Sequence, residues 1–309
     1  MSTTDFMGRD GFIWFTGVVE DRDDPDKLGR VRVRAVGYNT EDKDDIPTAD
    51  LPWAWVMNPT TVPSMGGMGE TPPFLVEGSW VLGFFRDPPL FQEPIILGSL
   101  PGFNLELPDG SKGFNDPNGK YPKSAYLNES DVNRRARNSS VTKTNIESQI
   151  SVPNDPYNSK YSNNHIYQTE SGHYKEYDDT PNAERIKEFH KSGTFYEIHP
   201  SGDSVVNIIG KGYRVVASND SIHIKGDANL VVDGNYNITC KNKTETITET
   251  HKVTANKADL VYTSGEITVN GITQTQHTHT DTAGLGQGCL LYTSPSPRDR
   301  TRSRMPSSA

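Results

Sequence analysis

Apolar and polar residues alternate in short runs between residues 12 and 100. FIWFTGVVE (12–20), RVRVRAVG (30–37), PWAWVMNP (52–59), GSWVLGFFRD (78–87) and EPIILGSL (93–100) each read as a strand. In the second run the alternation is strict. Val31, Val33 and Ala35 share one face, and Arg30, Arg32 and Arg34 share the other. The connection DRDDPDKLG (21–29) is turn chemistry. Five short strands with Gly and Pro turns and no amphipathic helix predict an all-β start to the chain, an OB-like barrel over residues 1–100.

The pattern then fades. Residues 101–163 are dominated by Asn, Ser, Asp, Pro and Lys. Such a composition buries too little apolar surface to offset its ordering entropy, so an extended linker is expected. Strand character returns over 164–218 in HIYQTES, HYKEYDD, RIKEFHKSG, TFYEIHPSGD, SVVNIIG and YRVVAS, parted by turn residues. From 222 to 271 an eight-residue repeat emerges. Ile224-Lys225-Gly226 is followed by Val232-Asp233-Gly234 and Cys240-Lys241-Asn242, with Leu230 and Ile238 a second pair. After a register shift near Thr248 the octad resumes at Val253, Val261 and Val269.

Short strands with apolar residues toward an axis and Gly or Asn at the corners fit that repeat. One such chain would bury almost nothing and expose every strand edge. Three copies wound round one axis would pair the edges and close a core, so residues 219–275 are expected to form an intertwined trimeric β-helix. The alternative is an antiparallel meander, for which eight residues is a short spacing.

Composition sharpens this picture. The 309 residues are only 33% hydrophobic, with a mean hydropathy of −0.67, yet carry 13 Tyr, 11 Phe and 4 Trp. Low apolar content with strong β patterning points to an elongated structure with a thin core. The net charge of −9 repels phosphate, which disfavours a nucleic-acid partner. Two cysteines, Cys240 and Cys289, make no disulfide framework. The start MSTTDFMGRDGFIWF lacks the basic-then-apolar order of a secretory leader. No run approaches the ~18 apolar residues that span a bilayer. Residues 289–309 break with everything before them. CLLYTSPSPRDRTRSRMPSSA resembles translated sequencing-adapter sequence and is read as an artefact tail; a natural basic tail is the alternative. Its four Arg and one Asp leave the body at −12.

Candidate chemistry is concentrated near the end of the body. His277 and His279 stand at i, i+2, so on a strand both project from one face. Three chains would bring six imidazoles to one point, enough for an octahedral transition metal; a pair of solvated histidines is the alternative. His165, His173, His190, His199, His223 and His251 lack ligand spacing and read as structural or surface residues. Cys240 sits at an apolar octad position, where three copies would meet as small hydrophobes. Arg30, Arg32 and Arg34 with Trp53 and Trp55 resemble an oligonucleotide face, but the acidic runs around them favour solvated surface or interchain contacts. Asp178-Asp179 is one of many acidic pairs that chance supplies, and no nucleophile, base and orienter set stands out. No catalytic residue is assigned, and GxSxG, HExxH, GxxxxGK[ST] and CxxC patterns are absent.

GVVEDRDDPDKLGRVRVRAVG (17–37), IPTADLPWAWVMNP (46–59), EGSWVLGFFRD (77–87), GFNDPNGKYP (113–122), TESGHYKEYDDTPNAERIKEFHKSGTFYEIHPSGD (169–203) and the octads together resemble the central spike, or baseplate hub needle, of contractile phage tails. The resemblance covers roughly residues 12–288. It implies a homotrimer whose OB barrels form a collar on a hub protein and whose needle is driven through the host outer membrane. Residues 164–218 would then be the β-helix entry and 276–288 the tip. The resemblance implies an iron ion held by His277 and His279, one per trimer, unless a separate tip protein caps the needle. The virion tail baseplate, assembled in the host cytoplasm, would be its location. Some members insert a lysozyme domain between barrel and needle; residues 101–163 are too short and polar for one, so no enzymatic activity is expected. Three rivals share parts of this pattern: a β-helical tailspike that cleaves glycans, a type VI secretion spike and a nucleic-acid-binding OB protein.

Overall fold

The computed structural model describes residues 12–273 apart from 71, 89, 108–118, 122, 260, 262, 266, 270 and 271. The five expected strands are β1 (Ile13–Asp21), β2 (Val31–Ala35), β3 (Trp53–Val56), β4 (Trp80–Phe85) and β5 (Pro94–Ser99). They close a barrel in the order β1-β2-β3-β5-β4, with β3 and β5 parallel and the other pairs antiparallel. Closure removes free sheet edges. The core is Phe15, Val19, Val31, Val33, Ala35, Ala54, Val81, Phe85 and Ile96. At Gly83 on β4 a Cβ would run into the Ile95 carbonyl oxygen and lie 2.7 Å from Phe15 Cζ. A bare backbone is needed there for β4 to lie between β1 and β5.

The barrel belongs to a compact unit that ends at Asn235; a second begins at Tyr236. In the first unit, β6 (Phe103–Asn104) pairs with β7 (Glu129–Ser130). Beyond them β8 (Asn164–Gln168), β9 (Tyr174–Asp178), β10 (Arg185–Phe189), β11 (Phe195–Ile198) and β12 (Ser204–Asn207) form an antiparallel meander in sequence order. Three of its turns share one design: Thr169–His173, His190–Thr194 and His199–Asp203 each contain Ser-Gly, with the glycine N–H bonded back to the first residue's carbonyl. Gly172, Gly193 and Gly202 have φ of +94°, +95° and +86°, the left-handed region that a side chain resists.

The stretch expected to be an extended linker has little strand, as its composition implies. Part of it is nonetheless fastened to the meander, with Ala136, Tyr157 and Ser159 buried. Charge and hydrogen bonding, rather than apolar area, hold it there.

After β12 the backbone turns at a regular interval. Bends fall at 209–210, 217–218, 225–226, 233–234, 241, 248–249, 256 and 263–265. The eight-residue rhythm thus starts at Ile209, earlier than the repeat read from the side chains. Its apolar residues are exposed in the single chain, from 42% at Val232 to 91% at Val215. In the second unit, β13 (Thr268–Val269) pairs antiparallel with β14 (Ile272–Thr273).

Candidate functional site

The barrel's arginine row does not lie where alternation placed it. Arg34, expected in solvated surface or interchain contacts, is fully buried. Its guanidinium grips Glu20 through two bonds of 2.7 and 3.0 Å and donates to the carbonyls of Thr40 (2.8 Å) and Ile46 (2.9 Å). Thr48 Oγ1 adds a bond of 2.8 Å to Glu20. The loop between β2 and β3 folds over this pair, and its carbonyls replace the water that Arg34 gives up. Arg30 is bound by Asp24 (2.7 Å) and Asp26 (2.6 Å), and Asp24 is held well below the usual carboxylate range, first by Arg30. Arg32 donates to the carbonyls of Thr48, Ala49 and Leu51 and stacks 4.5 Å from the Trp53 ring. Arg30 lies 5.5 Å from Trp55. The arginines and tryptophans meet, as an oligonucleotide face would require, but the arginine charges are matched within the chain.

A clasp joins the barrel to the meander. Glu170, in the turn between β8 and β9, receives Arg22 (2.6 and 3.1 Å), Lys120 (2.9 Å) and the Tyr121 hydroxyl. These donors hold its carboxyl well below the usual range, Arg22 first. Burial, and then Glu170, push the Tyr121 hydroxyl up to about 12. Phe74 from the barrel side packs edge-on against Tyr167 of β8, 4.7 Å between centroids.

The meander itself is filled with charge. Alternate residues Glu176 and Asp178 of β9, Arg185 and Lys187 of β10 and Glu197 of β11 are all buried on one face. Arg185 binds Glu176 at 2.6 Å and Glu197 at 3.1 Å; Lys187 binds Glu197 at 3.1 Å and Asp155 at 3.4 Å. Arg135 reaches Glu176 at 3.0 Å, and Asn164 donates to Glu176 at 2.7 Å. The Tyr157 ring lies under two guanidiniums, 4.5 Å from Arg135 and 4.8 Å from Arg185. Burial pushes the Asp155 carboxyl up, but the Thr144 backbone N–H and the Lys187 ammonium outweigh it and hold it at about 2. Tyr174 and Phe189 stack at 4.7 Å, and with Phe195 they make one end of this face apolar.

The sequence-assigned residues divide as follows. His277 and His279 lie outside the described residues. His173 and His190 come together, 4.4 Å between ring centroids, because they end neighbouring strands; each Nδ1 accepts a backbone N–H. His199 is buried, 3.7 Å from Glu197, and His165 is exposed, 3.9 Å from Asp179. His223, His251 and Cys240 are exposed in the single chain. Asp178 is locked by Ser159, the Thr180 N–H and nearby Arg185, whereas Asp179 is exposed, so the pair does not converge on one point. No cluster of three or more His, Cys, Asp or Glu fit to hold a metal occurs among the described residues. None of their helices is long and apolar enough to cross a membrane.

Sequence reading missed the buried charge network. Its signal was present in YKEYD and RIKEF, where opposite charges recur at period two on neighbouring strands, with the Glu of FYEI beside them. The rule that apolar residues face inward pointed to the wrong face.

Comparison with known proteins completes the site. The family model for the Gp5 N-terminal OB domain matches residues 37–188. That span overlaps the barrel from β3 onward and continues into β10; barrel closure sets the domain's own limits at β1 and β5. A protein named Gp5 from Vibrio phage KVP40 is 40% identical over 282 residues, covering 76% of this chain and 67% of the relative. The pre-baseplate central spike protein Gp5 of Enterobacteria phage T4 is 45% identical over 115 residues, 36% of this chain and 20% of that protein. An OB barrel closed by these strands, and a match running through most of the chain, lead to one conclusion: the chain belongs to the Gp5 family of phage baseplate central spike proteins and is located in the tail baseplate of the virion.

Proposed function

We propose that three copies of this chain form the rigid needle at the centre of the baseplate, seated on the tail hub by their barrels and driven mechanically through the host outer membrane. The observation that carries this reading is the octad column: bends every eight residues, with apolar side chains left exposed by the single chain. Burying a Val, Leu or Ile side chain contributes roughly 1.5–3 kcal/mol, so Ile222, Ile224, Leu230, Val232 and Ile238, repeated in three chains, represent a large driving force for association. Winding three chains together would also pair backbone groups that otherwise face water.

No bond-making step enters this function. Force passes along a stiff shaft, and the barrel and clasped meander keep the shaft aligned with the hub. His277 and His279 supply the tip. Six neutral imidazoles fit an octahedral transition ion, and iron held there would tie three chain ends together as a structural clamp.

Electron cryomicroscopy of baseplates carrying this chain tests the reading. Three-fold needle density on the tail axis is expected; density at the periphery, where a glycan-cleaving tailspike would sit, contradicts it. Metal analysis should find one iron per three chains, lost in a His277→Ala/His279→Ala variant. Iron retained by that variant, or missing from the parent, sinks the tip assignment alone.

A further inference from the structure

We infer that a pocket between the barrel and the β6–β7 pair is a receptor for an organic cation, an ammonium or guanidinium group on an aliphatic stem. The inference stands apart from the needle reading, because the walls that form the pocket come from one chain.

The pocket has a volume of about 410 Å³. Glu77 precedes β4 and Trp80 opens it, Leu100 follows β5, and Asn104 of β6 and Asp131 after β7 close the far side. The turn that carries Glu77 is fixed. The Ser79 N–H bonds to the Val76 carbonyl at 3.0 Å, the Val76 N–H bonds to the Ser79 hydroxyl at 3.0 Å, and Gly78 takes a φ of +88°. Glu77 is thereby set into the wall and is only 7% exposed.

Its carboxylate is nonetheless only half served. Oε1 lies 3.3 Å from Arg22 Nε, while Arg22 turns both terminal nitrogens to Glu170, at 2.6 and 3.1 Å. Oε2 is buried with no hydrogen-bond partner. A buried acceptor without a donor is costly, and native structures rarely keep one without a reason. Oε2 therefore calls for a donor, and the pocket is the space from which one can come.

The other walls select the kind of donor. Asp131 adds a second carboxylate. Its oxygens each take one donor from the chain, the Gly102 N–H (2.8 Å) and Asn104 Nδ2 (2.5 Å), and each has capacity for another. No Lys, Arg or His lines the pocket among the described residues, so an anion would meet only repulsion. Trp80 and Leu100, each 43% exposed, offer an indole ring and an aliphatic surface. A bare metal ion would leave that apolar wall unused. An ammonium or guanidinium uses every part: charge-assisted bonds to the carboxylates, the indole face for the cation and apolar contact for the stem. The net charge of −9 favours its approach. A free amine and a basic side chain of another protein share this chemistry.

The test is titration calorimetry of the full chain with agmatine, which carries a guanidinium and an ammonium on one aliphatic stem. Saturable binding is expected, weakened about tenfold by Glu77→Gln. Competition gives a readout that needs no variant: arginine amide should displace agmatine and glutarate should not. A chain that does not bind agmatine, that binds it equally well after Glu77→Gln, or that releases it to glutarate overturns the inference and leaves the needle reading untouched. Assembled baseplates distinguish the sources. Agmatine binding that persists there assigns a free amine to the pocket, and binding lost on assembly assigns a partner's basic side chain seated in it.

Discussion

Arg34 and Glu20 are a buried pair in which neither charge has an alternative partner in solvent. Arg34→Met would strand Glu20 inside the barrel and free the carbonyls of Thr40 and Ile46. Breaking such a pair costs about 3–5 kcal/mol. The expected result is a lower urea midpoint followed by fluorescence of Trp53 and Trp55, and an unchanged midpoint would refute the structural role. A second residue-scale prediction concerns acid. Asp155 is depressed to about 2 in the folded chain from an ordinary value near 3.8. Its folded pKa is the lower one, so its contribution is complete above about pH 4 and fades as pH falls through about 2. The shift corresponds to about 2 kcal/mol. Asp155→Asn should flatten the loss of thermal stability between about pH 4 and pH 2, measured by circular dichroism; an unaltered slope would contradict it. These roles were hard to read beforehand. Arg34 alternates with Arg30 and Arg32 as a solvent-facing residue would, and only the loop that folds over it, 6 and 12 residues further along at Thr40 and Ile46, makes it interior.

At the scale of elements, period-two alternation located the barrel strands to within a few residues, because each strand needs one apolar side for a shared core. The meander strands showed the same period-two alternation, and their turns were legible from Ser-Gly, but YRVVAS (213–218), read as a further strand, forms none. Which meander face is buried was not legible. In β10, Ile186 looks like the inward residue and Arg185 and Lys187 like the outward ones. The structure reverses them because Glu176, Glu197 and Asp155 arrive from three separate segments to neutralise them. The clasp at Glu170 likewise draws on positions far apart, Arg22, Lys120 and Tyr121. Its members are partly exposed, so screening limits Glu170→Ala to about 1 kcal/mol of lost stability. The sharper consequence is mechanical: the barrel–meander joint should loosen, and limited proteolysis should cleave the connection after β5 faster than in the parent. Equal cleavage rates would show that the clasp does not hold the joint.

At the scale of the molecule, 33% hydrophobic residues cannot close a large single-chain core, and the chain does not attempt one. Its apolar side chains divide between a small barrel core and a long octad stretch that one chain leaves in water. The octad period was visible in the sequence because corner residues recur at fixed intervals. Its beginning at Ile209 was not, since the first corners have no shared apolar signature. Partner identity is a property of assembly, and a single chain records it only as surface left uncovered. The native mass of the purified protein, measured by light scattering on a sizing column, is therefore the most direct test. Three times the 34.2 kDa of one chain, in a species that resists SDS until heated, is the predicted result. A well-folded species of 34.2 kDa would contradict the needle, because no monomer can cover the octads.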